Sequence, residues 1–324
     1  MGIAIVRFSA TAEAPAWGVK KGDTIHPLDL DATDHRSLMA CYFDERTKFD
    51  AAIGDRMTPA ADATFHSPLG GPIQLFAQGL NYLDHRAESG LDVDAEAEEN
   101  LLFMKAASSL CGPNDTILRP VGCELLDYEI ELGLVLRTDI TQATTIGESD
   151  LPKYLGGMIL CNDVSARDLM FGAPMMQWFR GKSQRTFCPA GPVLYLLDDE
   201  DFAQLYAMEL KLWMNGELKQ HATTDLLIHK PAKTLSEISV FSNINAGDCI
   251  LTGTPGGVLA GHNLKSALAI LFNFTNDQKR RQKFVAGQKS QAEFLKPGDV
   301  LELEIKSLDG TIDLGRQHNC IADA

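Results

Sequence analysis

At 324 residues, with 45% hydrophobic and 23% charged positions, the chain can hold one large globular domain, or one large and one small. Its formal net charge of −15 leaves no basic surface to release phosphate counterions, which excludes nucleic acid and anionic membranes as partners. No apolar run reaches the ~18–20 residues of a membrane helix, and the first residues lack a signal-peptide pattern. The seven cysteines are odd in number and form no C-x-x-C pair, as expected of reduced thiols in a cytoplasmic protein.

Residues 1–75 read as a small β-rich N-terminal domain. Ile3 to Phe8 has strand character, and Trp17 to Ile25 forms a hairpin pattern around Lys21-Gly22-Asp23. Pro59, Pro68, Gly70, Gly71 and Pro72 then mark a linker. From Ile73 onward the chain is strand-rich, and residues 76–324 read as one mainly β domain of α+β class. Asn215-Gly216, between Leu210-Lys211-Leu212-Trp213 and Leu218-Lys219, is a two-residue hairpin signal. There is no βα alternation and no glycine-rich phosphate loop, so nucleotide-binding folds are set aside. Residues 264–293 stand apart as a helix-like insertion carrying the basic run Lys279-Arg280-Arg281-Gln282-Lys283.

The stretch Asp127-Tyr128-Glu129-Ile130-Glu131-Leu132-Gly133-Leu134-Val135-Leu136 joins acid–apolar alternation to a continuous apolar run. As one strand it places Asp127, Glu129 and Glu131 on a single face. Carboxylates at that spacing converge on a hard cation if a third oxygen ligand arrives from elsewhere. Leu301-Glu302-Leu303-Glu304-Ile305-Lys306 also alternates, and there the acids read as the wet face of an antiparallel strand. What sets Glu129 and Glu131 apart is the fully apolar strand they run into, where a carboxylate needs a cation or a dense set of donors.

His85 and Glu88 are three residues apart, neighbours on a helical turn, so that Glu88 can hold one imidazole nitrogen and leave the other as a base. Asp163 closes the apolar run Gly157-Met158-Ile159-Leu160-Cys161-Asn162 and is a candidate third ligand, or else a helix cap for the residues after it. Lys182 precedes Phe187-Cys188-Pro189, and Leu251-Thr252-Gly253-Thr254-Pro255-Gly256-Gly257 is a turn built for close backbone approach. Asp92, Asp94, Glu96 and Glu98 form an acidic run with little to bury, which predicts a lid that orders over the site.

Together and in this order, these motifs resemble the fumarylacetoacetate hydrolase superfamily, in its bacterial acylpyruvate-hydrolase-like branch, over residues 76–262 and again over 294–318. The resemblance implies a β-roll catalytic domain of coiled mixed sheets, a homodimer, and Mg²⁺ or Mn²⁺ (Ca²⁺ also admissible) in the site. It places the metal carboxylates on Glu129, Glu131 and Asp163, the catalytic groups on His85, Glu88 and Lys182, and substrate contacts on Tyr82, Arg167 and Thr254. The implied reaction is metal-dependent hydrolysis of a C–C bond in a 2,4-dioxo acid through an enolate. The alternative is oxaloacetate decarboxylation, or isomerisation of unsaturated 2-oxo acids; a third reading is a non-catalytic ligand-binding member. Met170 stands where members usually carry Gln, Arg185 replaces an acidic residue, and the 264–293 insertion is atypical.

Overall fold

The computed structural model describes residues 1–10, 14–90, 99–173, 175–261 and 276–324. Strand β1 (Ile3–Ser9) leads to the hairpin β2 (Ala16–Lys21) and β3 (Thr24–Pro27), then helix α1 (His35–Asp44). Strand β4 (Leu75–Gly79) and helix α2 (Leu83–Glu88) precede β5 (Leu101–Lys105). Next come β6 (Leu126–Asp127), β7 (Ile130–Leu136), β8 (Leu155–Asn162) and β9 (Ser165–Ala166), then helices α3 (Arg167–Phe171) and α4 (Trp178–Lys182). Strand β10 (Cys188–Leu196), the hairpin β11 (Met208–Met214) and β12 (Glu217–Thr223), helix α5 (Pro231–Phe241) and β13 (Cys249–Leu251) follow. Helix α6 (Asp277–Lys289) and the pair β14 (Val300–Ser307) and β15 (Asp313–Asp323) complete the frame.

The main path of the large sheet runs β3–β2–β1–β10–β8–β7–β13–β4–β5 and is antiparallel except for the parallel β13–β4 pair; off this path Leu110–Cys111 adds a parallel pairing to β10. A second sheet has the order β12–β11–β14–β15, and β6 pairs separately with β9. The architecture is therefore mainly β, of mixed sheets with few helices. Every residue of β7 and β8 is buried, as strands enclosed on both faces must be. Alternation sorts their side chains: Leu132, Leu134 and Leu136 meet Leu210, Leu212, Leu303 and Ile305 of the second sheet in one core. Val135 packs on the other face with Ile159, Leu194, Leu38 and Tyr42. Glu131 shares that second face, one strand period before Gly133.

The first 75 residues join this frame directly. Strand β1 pairs with β10 from Ile3↔Leu196 to Val6↔Val193. Helix α1, capped by Asp34, lays Leu38, Met39 and Tyr42 against the sheet. Asn215 and Gly216 adopt φ of 53° and 80°, the left-handed pair a tight hairpin requires. In β14 buried and half-exposed positions alternate, with Glu304 3.0 Å from Lys306. This is the wet face its pattern predicts. Among the described residues no helix is long and apolar enough to cross a membrane.

One expectation changes. The stretch Asp127 to Leu136 is not one strand: β6 ends at Asp127 and β7 begins at Ile130. The break is fixed by non-local bonds, since Glu129 N donates to Asn162 Oδ1 at 3.1 Å and the Tyr128 hydroxyl donates to Gly257 O at 3.1 Å. Asp127 therefore does not line up with the other two acids through strand period. Of the helix-like 264–293 segment, Asp277–Lys289 is helical, capped by the Asn276 side chain. Residues 262–275 lie outside the described residues, as do 91–98, on which the lid expectation falls.

Candidate active site

Three carboxylates meet where β7 begins and β8 ends. Glu129, Glu131 and Asp163 are buried, and one oxygen of each lies within 4.8 Å of the others. The pairing of β7 with β8, Ile130 opposite Asn162, carries Asp163 to the two glutamates. Asp163 N then donates to Glu129 O at 2.8 Å and locks the corner.

Cations crowd this corner. Lys182 Nζ, from α4, sits 2.6 Å from both Glu129 Oε2 and Asp163 Oδ2. Lys105 Nζ, at the end of β5, sits 2.5 Å from Asp163 Oδ1 and also donates to the Lys182 carbonyl. Arg167, the first residue of α3, places Nη2 2.6 Å from Glu129 Oε1 and Nε 2.9 Å from Asp127 Oδ2. Burial alone would raise the Glu129 carboxyl, but Lys182 and then Arg167 outweigh it and hold the group well below the usual carboxylate range. Burial likewise opposes charge on Lys182, yet Asp163 and Glu129 raise its pKa.

Glu131 is the exception. Its Oε2 accepts the Gly253 N–H at 2.6 Å, while Oε1 is buried with no partner among the described residues. Burial, followed by repulsion from Asp163 and Glu129, pushes its pKa well above the ordinary value. A bare buried oxygen beside two further carboxylates is an oxygen-only donor set that suits a hard divalent cation.

The turn after β13 is shaped by the same groups. Gly253 has φ of 91°, and a Cβ there would meet Asn81 Cβ at 2.7 Å. Asn81 fixes the turn by donating to Thr252 O at 2.8 Å and accepting from His229 N at 2.7 Å. The Thr254 hydroxyl donates to Ile130 O at 2.9 Å and accepts from Gln220 Nε2 at 2.9 Å. It thus couples the turn to the start of β7. Tyr82 is fully buried with its hydroxyl unpartnered, and burial and then Glu131 raise its pKa.

Helix α2 carries His85 and Glu88 on one turn. His85 Nδ1 lies 3.8 Å from Glu88 Oε2, beyond hydrogen-bond reach, and has no other partner among the described residues. Glu88 instead accepts the Gly257 N–H at 2.9 and 3.0 Å. Met170 is fully buried behind α4, and Arg185 is exposed.

Sequence reading missed Lys105, Asn81 and Gln220. Lys105 did leave a signal, a lone cation ending the apolar run Leu101-Leu102-Phe103-Met104. Such a lysine, when buried, requires a carboxylate partner. Gln220 lies in an ordinary alternating strand, and nothing local distinguishes it.

Residues 74–322 match the family described as Fumarylacetoacetate (FAA) hydrolase C-terminal. The chain belongs to this family. It is 33% identical over 243 residues to the 2,4-didehydro-3-deoxy-L-rhamnonate hydrolase of Sphingomonas sp. (strain SKA58), covering 74% of this chain and 72% of that one. It is 34% identical over 200 residues to oxaloacetate tautomerase FAHD2B, mitochondrial, of Bos taurus, covering 62% of this chain and 61% of the relative's length. Among solved structures, the fumarylacetoacetate hydrolase of Exiguobacterium antarcticum superposes with a TM-score of 0.75 at 26% identity, over 99% of this chain and 100% of the other.

Proposed function

We propose that this family member hydrolyses a C–C bond in a 2,4-dioxo acid of the acylpyruvate or fumarylpyruvate type. The observation that carries the reading is Glu131 Oε1, bare and buried within a carboxylate triad that three cations flank. A divalent cation held by Glu129, Glu131 and Asp163, Mg²⁺ first and Mn²⁺ or Ca²⁺ next, would supply Lewis-acid stabilisation of the oxygen charge that develops as the bond breaks. Arg167 meets the carboxylate of the 2-oxo acid, with Tyr82 and Thr254 forming the wall around it. Glu88 orients the His85 ring through Nδ1 once the two close the 3.8 Å gap, which leaves Nε2 to take a proton from water. Lys182 donates to the oxyanion at the attacked carbonyl, and Lys105 holds both Asp163 and the Lys182 backbone in place.

The second reading is keto–enol or decarboxylation chemistry on oxaloacetate, which needs no activated water. It is favoured by the engagement of Glu88 with Gly257 rather than with His85. Assaying the protein with Mg²⁺ against acylpyruvates, fumarylpyruvate and oxaloacetate separates the two. Hydrolysis of an acylpyruvate supports the first reading; turnover of oxaloacetate alone replaces it with the second.

We also propose a cytoplasmic homodimer. The seven cysteines are free thiols. Leu101 and Met104 are exposed on the edge strand β5, an uncovered sheet edge that a second copy would pair with or cover. Light scattering giving a single 35.4 kDa chain at micromolar concentration would remove the dimer.

A further inference from the structure

Helix α6 docks onto several of the segments that hold Arg167. Arg281 Nη2 lies 2.6 Å from Asp168 Oδ2 and 2.5 Å from Gly122 O. Asp168 follows Arg167 directly in α3 and is buried. Its carboxylate also accepts Glu124 N at 3.1 Å and the Cys123 thiol at 3.4 Å. Arg280 Nε donates to Gly172 O at 3.0 Å, just past the end of α3, and Lys289 Nζ meets Glu124 Oε2 at 2.7 Å. The apolar side of α6 acts in the same direction. Phe284 and Val285 pack with Leu125, Phe171, Leu259 and Ala260.

These contacts converge on one guanidinium. Leu125 accepts the Arg167 N–H at 2.9 Å. The amides of Leu259 and Ala260 donate to the Asp127 carboxylate at 3.0 and 3.1 Å, and that carboxylate holds Arg167 Nε. The helix that presents Arg167, the Leu125 segment that accepts its N–H and the Leu259–Ala260 segment that holds Asp127 are therefore all in contact with α6.

We infer that α6 is a positioning element for substrate binding, acting through Arg281 on Asp168 and thus on Arg167. The inference rests on the proposed role of Arg167 in meeting the substrate carboxylate. Among the described residues Arg281 meets no carboxylate of the triad directly, so its effect reaches the site through Arg167, which also pairs with Glu129. Affinity depends on that pose, and errors of ~1 Å in placement cost up to roughly a hundredfold.

A double-mutant cycle with oxalate as the probe, titrated by calorimetry in the presence of Mg²⁺, tests this. Arg281→Gln is expected to weaken oxalate binding about tenfold, with Arg281→Lys recovering most of the loss. In an Arg167→Met background, Arg281→Gln should add nothing further. Additive losses, or no loss from Arg281→Gln, overturn the positioning role while leaving Arg167 as the carboxylate contact. If Arg167→Met leaves oxalate binding unchanged, or the unaltered protein binds none, the reading of Arg167 falls and the role of α6 falls with it. Should Arg281→Gln not fold, Phe284→Leu loosens the same helix and takes its place in the cycle with the same outcomes.

Discussion

Two substitutions separate the proposed water activation from the proposed charge stabilisation at this site. His85→Ala removes the only proposed base, and acylpyruvate hydrolysis should fall by about 10²–10⁴, while any oxaloacetate decarboxylation falls much less. Glu129→Gln weakens the triad itself, so both activities should fall together. Equal losses for His85→Ala in both assays would show that the imidazole activates no water. The triad also sets how the protein responds to metal. Because a cation at Glu129, Glu131 and Asp163 binds the folded state alone, Mg²⁺ at 100 times its Kd should add about 2.7 kcal/mol of stability. A melting temperature identical in Mg²⁺ and in chelator would argue against the site. The acids were legible because charge entering a fully apolar strand is rare enough to notice. Gln220 was not, because its role depends on the Thr254 hydroxyl and Pro255 carbonyl, 34 and 35 residues away.

Secondary-structure elements with local causes were legible, and their junctions were not. The run Leu132 to Leu136 and the Asn215-Gly216 turn declare themselves through composition and left-handed backbone. The break at Tyr128–Glu129 leaves the alternating pattern intact, so only Gly257 and Asn162, brought there by other elements, reveal it. Strand β7 makes a further demand that sequence hides. A Cβ on Gly133 would lie 2.8 Å from Ile159 Cγ2 and 3.1 Å from the Sγ atoms of Cys161 and Cys249. Gly133→Ala therefore overpacks the face shared with Glu131 and should cost about 1–3 kcal/mol. Urea denaturation measures this directly, and a variant as stable as the parent would mean that β8 and β13 yield without strain. Cys161 precedes Asn162, which holds the Glu129 amide, so the same substitution should also weaken Mg²⁺ binding.

Across the whole molecule, the first 75 residues are tied to the catalytic frame by a single buried imidazole as well as by β1. A domain boundary near residue 75 is proposed from the proline- and glycine-rich stretch alone, and composition gave no sign of this tie. His35 Nε2 lies 2.7 Å from Gly247 O, in the turn that leads into β13, while Nδ1 accepts the Gly70 N–H at 3.4 Å. With one nitrogen donating and the other accepting, the neutral ring fits and a protonated one does not. Burial lowers the pKa below its ordinary value of 6.5, opposed by the Gly247 carbonyl, Asp34 and Asp248 and reinforced by Arg36. The unfolded chain therefore takes up the proton first, and stability falls as pH drops from about 6.5 toward the lower folded-state value. Above 6.5 the ring is neutral in both states and adds no pH dependence. His35→Gln should cost about 1–3 kcal/mol at pH 7.5 through the disturbed Gly247 and Gly70 contacts. It should also lose less further stability than the parent between pH 7 and pH 5. Urea unfolding of both proteins at the two pH values gives the comparison. Parallel losses would show that His35 is not what couples the N-terminal residues to acid.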